Sequence, residues 1–345
     1  MNTCTRPNKA FVIGYKENGK KDIIFCPYSV DHLEIHDHDR IVKAYNTFIQ
    51  PGCIKIIKEY IEIPCGKCLS CKLNHAKQWA DRCMLEAKYH KSNYFITLTY
   101  NDENCPVSEY FDENGELHYC QTLKKEDFQK FMKRLRKKLD NNNLPKIKYL
   151  ACGEYGSQTK RPHYHAIIFG LELNDLVQHS RTKKGSIIYT SKFLEEVWPF
   201  GFVSVGEANQ DSMGYVARYT TKKINCADNC IYDKLNIEKE FLLSSKKPAI
   251  GLRGLEDNLD NFIDYGKIYI STIDGSVQIY SNKYFNSKLE NLDPDFLEKK
   301  EERKLIAKER EDIILSNTSL KKIDYLKVVE ENLKERTNSL SRKEI

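Results

Sequence analysis

The chain of 345 residues has no apolar run long enough to cross a bilayer. Its first ten residues, MNTCTRPNKA, carry no apolar signal region. There is no internal repeat and no G-x-x-x-x-G-K-[ST] loop, so nothing supports a nucleotide-driven motor. Twelve cysteines without a secretory signal predict a reducing compartment, where free thiols or a metal site are expected rather than disulfides. What is present is an apolar fraction of 40%, enough for a core, in a length that suits one large or two ordinary domains. The net charge of +6 is unevenly spread. Residues 121–225 hold 19 Lys and Arg against 10 Asp and Glu, a net of +9, leaving −3 for the rest. Such a concentration predicts a polyanionic partner.

The stretch FVIGYKENGKKDIIFCP reads as a hairpin around Glu17–Lys20. HLEIHDHDR holds His32, His36 and His38 in a polar context and reads as a solvated surface loop. From Ser70 the spacing turns helical, with Leu73, Ala76, Ala80, Met84 and Ala87 as its apolar stripe. NYFITLTY (93–100) has the aromatic and β-branched content of a central strand, and 106–120 is an excursion turning at ENGE. TLKKEDFQKFMKRLRKKLD predicts a basic amphipathic helix that buries Phe128, Phe131, Met132, Leu135 and Leu139. IKYLACGEYG and RPHYHAIIFG then form an antiparallel hairpin, 147–155 with 163–169. TSKFLEEVWPFG is a short helix ended by Pro199 and Gly201. FVSVGEA is a strand, and DSMGYVARYTTKKI a helix over 211–224 capped by Asp211 or Ser212. GKIYISTIDGSVQIYS turns at Asp274–Gly275. Asp293 and Pro294 open a charged helical tail, solvated and partly disordered at its end.

Chemistry concentrates in three places. His163 and His165 share one strand face while Tyr164 takes the other. Their Cα atoms would lie roughly 7 Å apart, close enough to bind one metal ion together. A catalytic metal wants a third protein ligand. Glu154, nine residues before His163 on the preceding strand, is brought alongside by a turn at 156–161; the alternative is that it pairs with Lys160 or Arg161. A His, His, Glu set accepts Mg²⁺ or Mn²⁺ as well as Zn²⁺. In YVARYTTKK, Tyr215 and Tyr219 are four apart and Lys222 follows at seven from the first, all on one helical face. A phenol with a pKa of about 10 is a poor nucleophile at neutral pH, and a nearby cation or a metal-polarised phosphate makes it competent. CGKCLSC supplies Cys65, Cys68 and Cys71. A structural zinc site needs four ligands, and the fourth would be Cys4, Cys26, His75 or Cys83. Cys4 is attractive because the N-terminal segment needs an anchor.

FITLTY, RPHYHAIIFG and YVARYTTKK stand in the order of the three motifs of HUH endonucleases, the rolling-circle replication initiators, and resemble them. With IPCGKCLSCKLNHAKQWADRC, LKKEDFQKFMKRLRKKL, GEYG and KKPAIG, the chain resembles the replication initiation proteins of gokushovirus-type Microviridae over about residues 60–285. That resemblance implies an α+β fold, a central antiparallel sheet with packed helices over 91–285. An N-terminal region over 1–90 would carry the cysteines, and a charged, mostly helical tail would run over 286–345. It implies that His163, His165 and Glu154 bind Mg²⁺ or Mn²⁺. Tyr215 and Tyr219, beside Lys222, would nick the viral origin through a 5′-phosphotyrosyl intermediate and religate circular single-stranded DNA. The partners implied are single- and double-stranded viral DNA, a host helicase and a host polymerase, in the host bacterial cytoplasm and without a membrane. Two other classes stay open. One is a non-catalytic nucleic-acid-binding protein with basic helix 123–139 on phosphates and only a structural zinc. The other is a zinc hydrolase with a water nucleophile.

Overall fold

The strand and helix periods of the sequence resolve into two compact units, residues 1–74 with 308–345, and residues 75–307. The computed structural model describes residues 3–17, 21–142, 144, 146–156, 158–182, 185–222, 229–272 and 275–341; for 219–222, 229–230 and 339–341 it describes the backbone alone.

In the first unit β1 (Asn8–Tyr15) pairs antiparallel with β2 (Lys21–Pro27), the hairpin expected there; turn residues 18–20 lie outside the described residues. Strands β3 (His32–His36), β4 (Arg40–Ala44) and β5 (Lys55–Ile57) form a second sheet in the order β4-β3-β5, and β6 (Tyr60–Ile63) joins β1. HLEIHDHDR is therefore not a solvated loop. The alternation of β3 sends Leu33 and Ile35 towards Phe11, Val30 and Ile57. His32, Glu34 and His36 share the other face, where burial is tolerated because they bond one another. His36 Nε2 lies 2.9 Å from Glu34 Oε2, His32 Nε2 lies 3.2 Å from Oε1, and the Gln50 amide donates to Oε1. Helix α1 (Leu69–Ala87) follows, as its spacing predicts.

The second unit is built on β7 (Asn93–Tyr100), β10 (Lys148–Tyr155), β11 (Pro162–Phe169), β12 (Val177–Arg181), β13 (Ile187–Thr190), β14 (Gly201–Glu207) and β15 (Phe241–Ser244). Between β7 and β10 lie the hairpin β8 (Val107–Phe111) and β9 (Leu117–Gln121), then α2 (Lys125–Asn141). The seven strands form one antiparallel sheet, β12-β13-β14-β7-β11-β10-β15, with β7 at its centre. The fold is thus α+β, with ten α-helices among the described residues: α3 (Lys192–Glu195), α4 (Gln210–Lys222), α5 (Asn229–Lys234), α6 (Leu252–Glu256), α7 (Leu259–Tyr265), α8 (Lys283–Leu289), α9 (Phe296–Ser316) and α10 (Lys322–Ser341) complete the set. Strands β16 (Lys267–Thr272) and β17 (Gly275–Tyr280) make the hairpin expected near Asp274; residues 273–274 lie outside the described ones.

Alternation along β10 and β11 divides the core in two. Ala151, Tyr164, Ala166 and Ile168 pack against the α2 side chains Phe128, Phe131, Met132, Leu135 and Leu139, the set expected from that helix. Leu150, Cys152, Ile167 and Phe169 face the other way, towards Met84 and Leu85 of α1 and Met213 and Val216 of α4. Gly153 is required where Phe241 crosses it, since a Cβ there would lie 2.7 Å from that ring. Some boundaries differ from expectation. Asn209, not Asp211, caps α4: its side chain accepts from the Ser212 amide and the Ser212 hydroxyl accepts from the Asn209 amide, a reciprocal cap. Helix α3 stops at Glu195, short of Pro199. The tail is more than a solvated helix, because α10 buries Leu326 and Glu330, and Glu330 accepts from Arg6 at 2.9 Å within the first unit.

One buried carboxylate ties α1 to the sheet. Glu86 Oε1 lies 2.8 Å from His90 Nε2 and from Lys148 Nζ, and Oε2 accepts from the Gly251 amide at 2.8 Å. Burial pushes the Glu86 carboxyl up, but bonds from His90, Lys148 and Gly251 outweigh it and hold the group at about 2, below its ordinary 4.5. Because the depressed pKa belongs to the folded state, the stabilisation is complete above pH 4.5 and disappears as pH falls towards 2. Its size at neutral pH is roughly 3 kcal/mol. Urea denaturation of Glu86→Gln should show a loss of about that size at pH 7, with a weaker pH dependence than wild type between 4.5 and 2.

Candidate active site

The hairpin β10–β11 places Glu154 directly opposite His163. Glu154 does not pair with Lys160 or Arg161; the Arg161 guanidinium instead bonds Asp102 (2.7 Å) and the Tyr100 carbonyl (2.8 Å). Glu154 Oε1 lies 2.8 Å from His163 Nε2 and 3.0 Å from His165 Nε2. Tyr215 of α4, the third element at this point, donates its hydroxyl to the same oxygen at 3.2 Å. The structure therefore brings together four of the residues singled out in the sequence. Tyr219 and Lys222 fall on the same helix, four and seven residues further on, with their side chains outside the described residues.

Glu154 is buried, and burial raises its pKa; the imidazoles of His163 and His165 override this and hold it at about 2. The histidine tautomers sharpen the chemistry. His163 Nδ1 lies 3.0 Å from the Arg161 carbonyl, which only accepts, so Nδ1 carries hydrogen. In the neutral ring Nε2 then presents a lone pair to a carboxylate oxygen 2.8 Å away. Two acceptors at that separation need a cation between them, either a proton or a metal ion. His165 is oriented in turn by Thr97, whose hydroxyl lies 2.9 Å from Nδ1, and by Phe95, stacked on the ring at 5.2 Å. Donor atoms of Glu154, His163 and His165 all lie within 4.8 Å of one another. They form a group fit to hold a metal ion, with N and O donors on rigid strands and supporting bonds behind both rings.

Sequence reading missed these supports. Thr97 and Phe95 lie in FITLTY, where they register only as strand formers. Arg218, whose guanidinium sits 5.8 Å from the centre of the Tyr215 ring, is the described cation beside that phenol. Its position three residues on from Tyr215 is the signal that was available.

A second donor group lies in the first unit. Cys4, Cys65, Cys68 and Cys71 place their sulfurs within 4.8 Å of one another, so Cys4 joins the other three, and Cys26, His75 and Cys83 do not. The Cys4 sulfur is 3.7 Å from that of Cys65 and 3.8 Å from that of Cys68. Backbone amides of Lys67 and Cys68 point at the Cys65 sulfur, and that of Cys71 at Cys68. Burial raises the Cys68 thiol, but bonds to Thr5 and Cys71 prevail and bring it to about 6; burial takes Cys4 up to about 11.

Residues 93–224 match the family model described as Replication-associated protein ORF2/gene 2 protein, a span running from β7 into α4 and including Glu154, His163, His165 and Tyr215. The replication-associated protein ORF2 of Spiroplasma virus 4 is 37% identical over 258 residues, 73% of this chain and 77% of that protein. The chain belongs to this family. Replication-associated proteins VP4 of Bdellovibrio phage phiMH2K and ORF4 of Chlamydia phage 1 are also homologous, 36% identical over 59% of the chain and 30% over 75%. These matches cover 61% and 62% of those two proteins. No solved structure matches. Among the described residues no helix is long and apolar enough to cross a membrane.

Within this replication-associated family the supports of the donor group become testable. Thr97→Val should weaken Mn²⁺ binding, read by calorimetry, about 10- to 100-fold by releasing the His165 ring, and Thr97→Ser should restore most of it.

Proposed function

We propose that this chain is a metal-dependent DNA endonuclease and strand transferase of the HUH type, which opens rolling-circle replication of a small single-stranded-DNA phage. The observation that carries the reading is the Tyr215 hydroxyl donating to the very carboxylate oxygen that both histidines share. A nucleophile beside a divalent-cation donor set, in a chain of a replication-associated family, fits phosphodiester chemistry. His163, His165 and Glu154 would hold Mg²⁺ or Mn²⁺, which when bound supplies Lewis-acid polarisation of the scissile phosphate. The Tyr215 oxygen forms a bond to phosphorus and gives up its proton; the bond from phosphorus to the 3′-oxygen breaks, and that oxygen leaves as a hydroxyl after taking up a proton. The 5′-phosphate stays on the tyrosine until a 3′-hydroxyl attacks it and closes the strand. Tyr219, one turn further along α4, is assigned the second nucleophile and Lys222 the supporting cation. The DNA origin, a host helicase and a host polymerase are the partners of this reading.

For the four cysteines we propose structural Zn²⁺. Zinc–sulfur bonds of about 2.3 Å put the sulfurs of a tetrahedron about 3.8 Å apart, and two of the separations are 3.7 and 3.8 Å. Cys68→Ser should lose about one zinc per chain by elemental analysis and lower the thermal midpoint, while zinc content should be unchanged in Cys120→Ser.

A labelled single-stranded origin oligonucleotide, incubated with Mn²⁺ and run on a denaturing gel, tests the main reading. Wild type should form a protein–DNA adduct, and Tyr215→Phe combined with Tyr219→Phe should form none while still retarding DNA on a native gel. Cleavage without an adduct would favour a water nucleophile. Retarded but intact DNA from wild type would favour a binding protein without catalysis.

A further inference from the structure

Two basic motifs of the sequence have no part in the chemistry above, KKEDFQKFMKRLRKKL and KKPAIG. The second unit brings them to one place. A cavity of about 1000 Å³ opens between α2, the start of β10 and the edge strand β15 with the turn that follows it. Helix α2 contributes Lys125 and Arg136, the approach to β10 contributes Lys146, and the turn contributes Lys246 and Lys247; all five are exposed. One carboxylate, Asp140, lines the cavity with them, while Lys148 is already held by Glu86. Two aromatic side chains, Trp79 and Tyr149, complete the wall, and the Arg136 guanidinium lies 5.4 Å from the Tyr149 ring centre.

We infer that this groove binds single-stranded nucleic acid on its way to or from Tyr215, an assignment that rests on the DNA-handling role proposed above. Five cations against one carboxylate track a phosphate backbone, and aromatic faces among them offer stacking platforms that unpaired bases reach and paired bases do not. A cavity of this volume is deep enough to take bases as well as phosphates, unlike a merely basic surface. Position fits too. Tyr149 and Glu154 mark the two ends of β10, five residues or roughly 17 Å apart. A strand of several nucleotides spans that distance, within the range of single-strand sites on other folds.

The test uses the full chain with Lys146, Lys246 and Lys247 all changed to Ala, exposed positions whose loss leaves the core intact, with circular dichroism and the thermal midpoint confirming the fold. Binding of a labelled single-stranded 30-mer is followed by fluorescence anisotropy in EDTA, so that no cleavage contributes; the result is then independent of whether an adduct ever forms. The triple variant should bind at least 10-fold more weakly in low salt, and its plot of log affinity against log salt should be shallower by about 2, the slope of three lost phosphate contacts. The loss on duplex DNA of the same length should be much smaller. Unchanged affinity and slope would overturn the inference, and so would an equal loss on duplex and single strand.

Discussion

A single carboxylate oxygen, Oε1 of Glu154, is the point on which the second unit is organised. Two imidazole nitrogens and a phenol converge on it from two strands and a helix. A buried carboxylate is costly unless cations or donors surround it, and here the surroundings come from non-local pairings. The register of β10 with β11 sets Glu154 against His163, and the packing of Met213 and Val216 on Leu150, Cys152, Ile167 and Phe169 sets the depth of α4. The hydrophobic face of the sheet thereby positions the polar end of the same face.

Support for the rings comes from groups that do not touch the reacting atoms. The Arg161 carbonyl fixes one tautomer, and Thr97 on the central strand braces the other ring. Arg161 is itself anchored through its guanidinium to Asp102 and Tyr100, so the turn before β11 is held from outside while it holds His163 from within. Such bracing lets donors stay in position in a site that is only partly covered.

Much of this was legible in the residues. The hairpin, the buried face of α2 and the convergence of Glu154 with the histidines follow from periods of 2 and 3.6 and from one turn, all local signals. Less legible were features decided by partners distant in sequence. HLEIHDHDR has the composition of a loop, yet it is a strand because its polar side chains satisfy one another and Gln50. Cys4 could be told from Cys26, His75 and Cys83 only once the chain had brought it to Cys65 and Cys68. The cap of α4 moved to Asn209 because either residue flanking the start satisfies the same amides.

The spacer between the histidines is not neutral. Strand geometry turns Tyr164 to the opposite layer, where its hydroxyl donates to the Lys124 carbonyl at 2.8 Å and accepts from the Lys124 amide at 3.1 Å. The Tyr100 hydroxyl lies 2.6 Å from it and donates to Asp127. The one-residue gap that aligns the imidazoles thus also rivets the basic helix to the back of the sheet, so the two sides of the protein cannot drift apart independently. A chain that altered the middle letter of this triplet would have to redraw both layers at once.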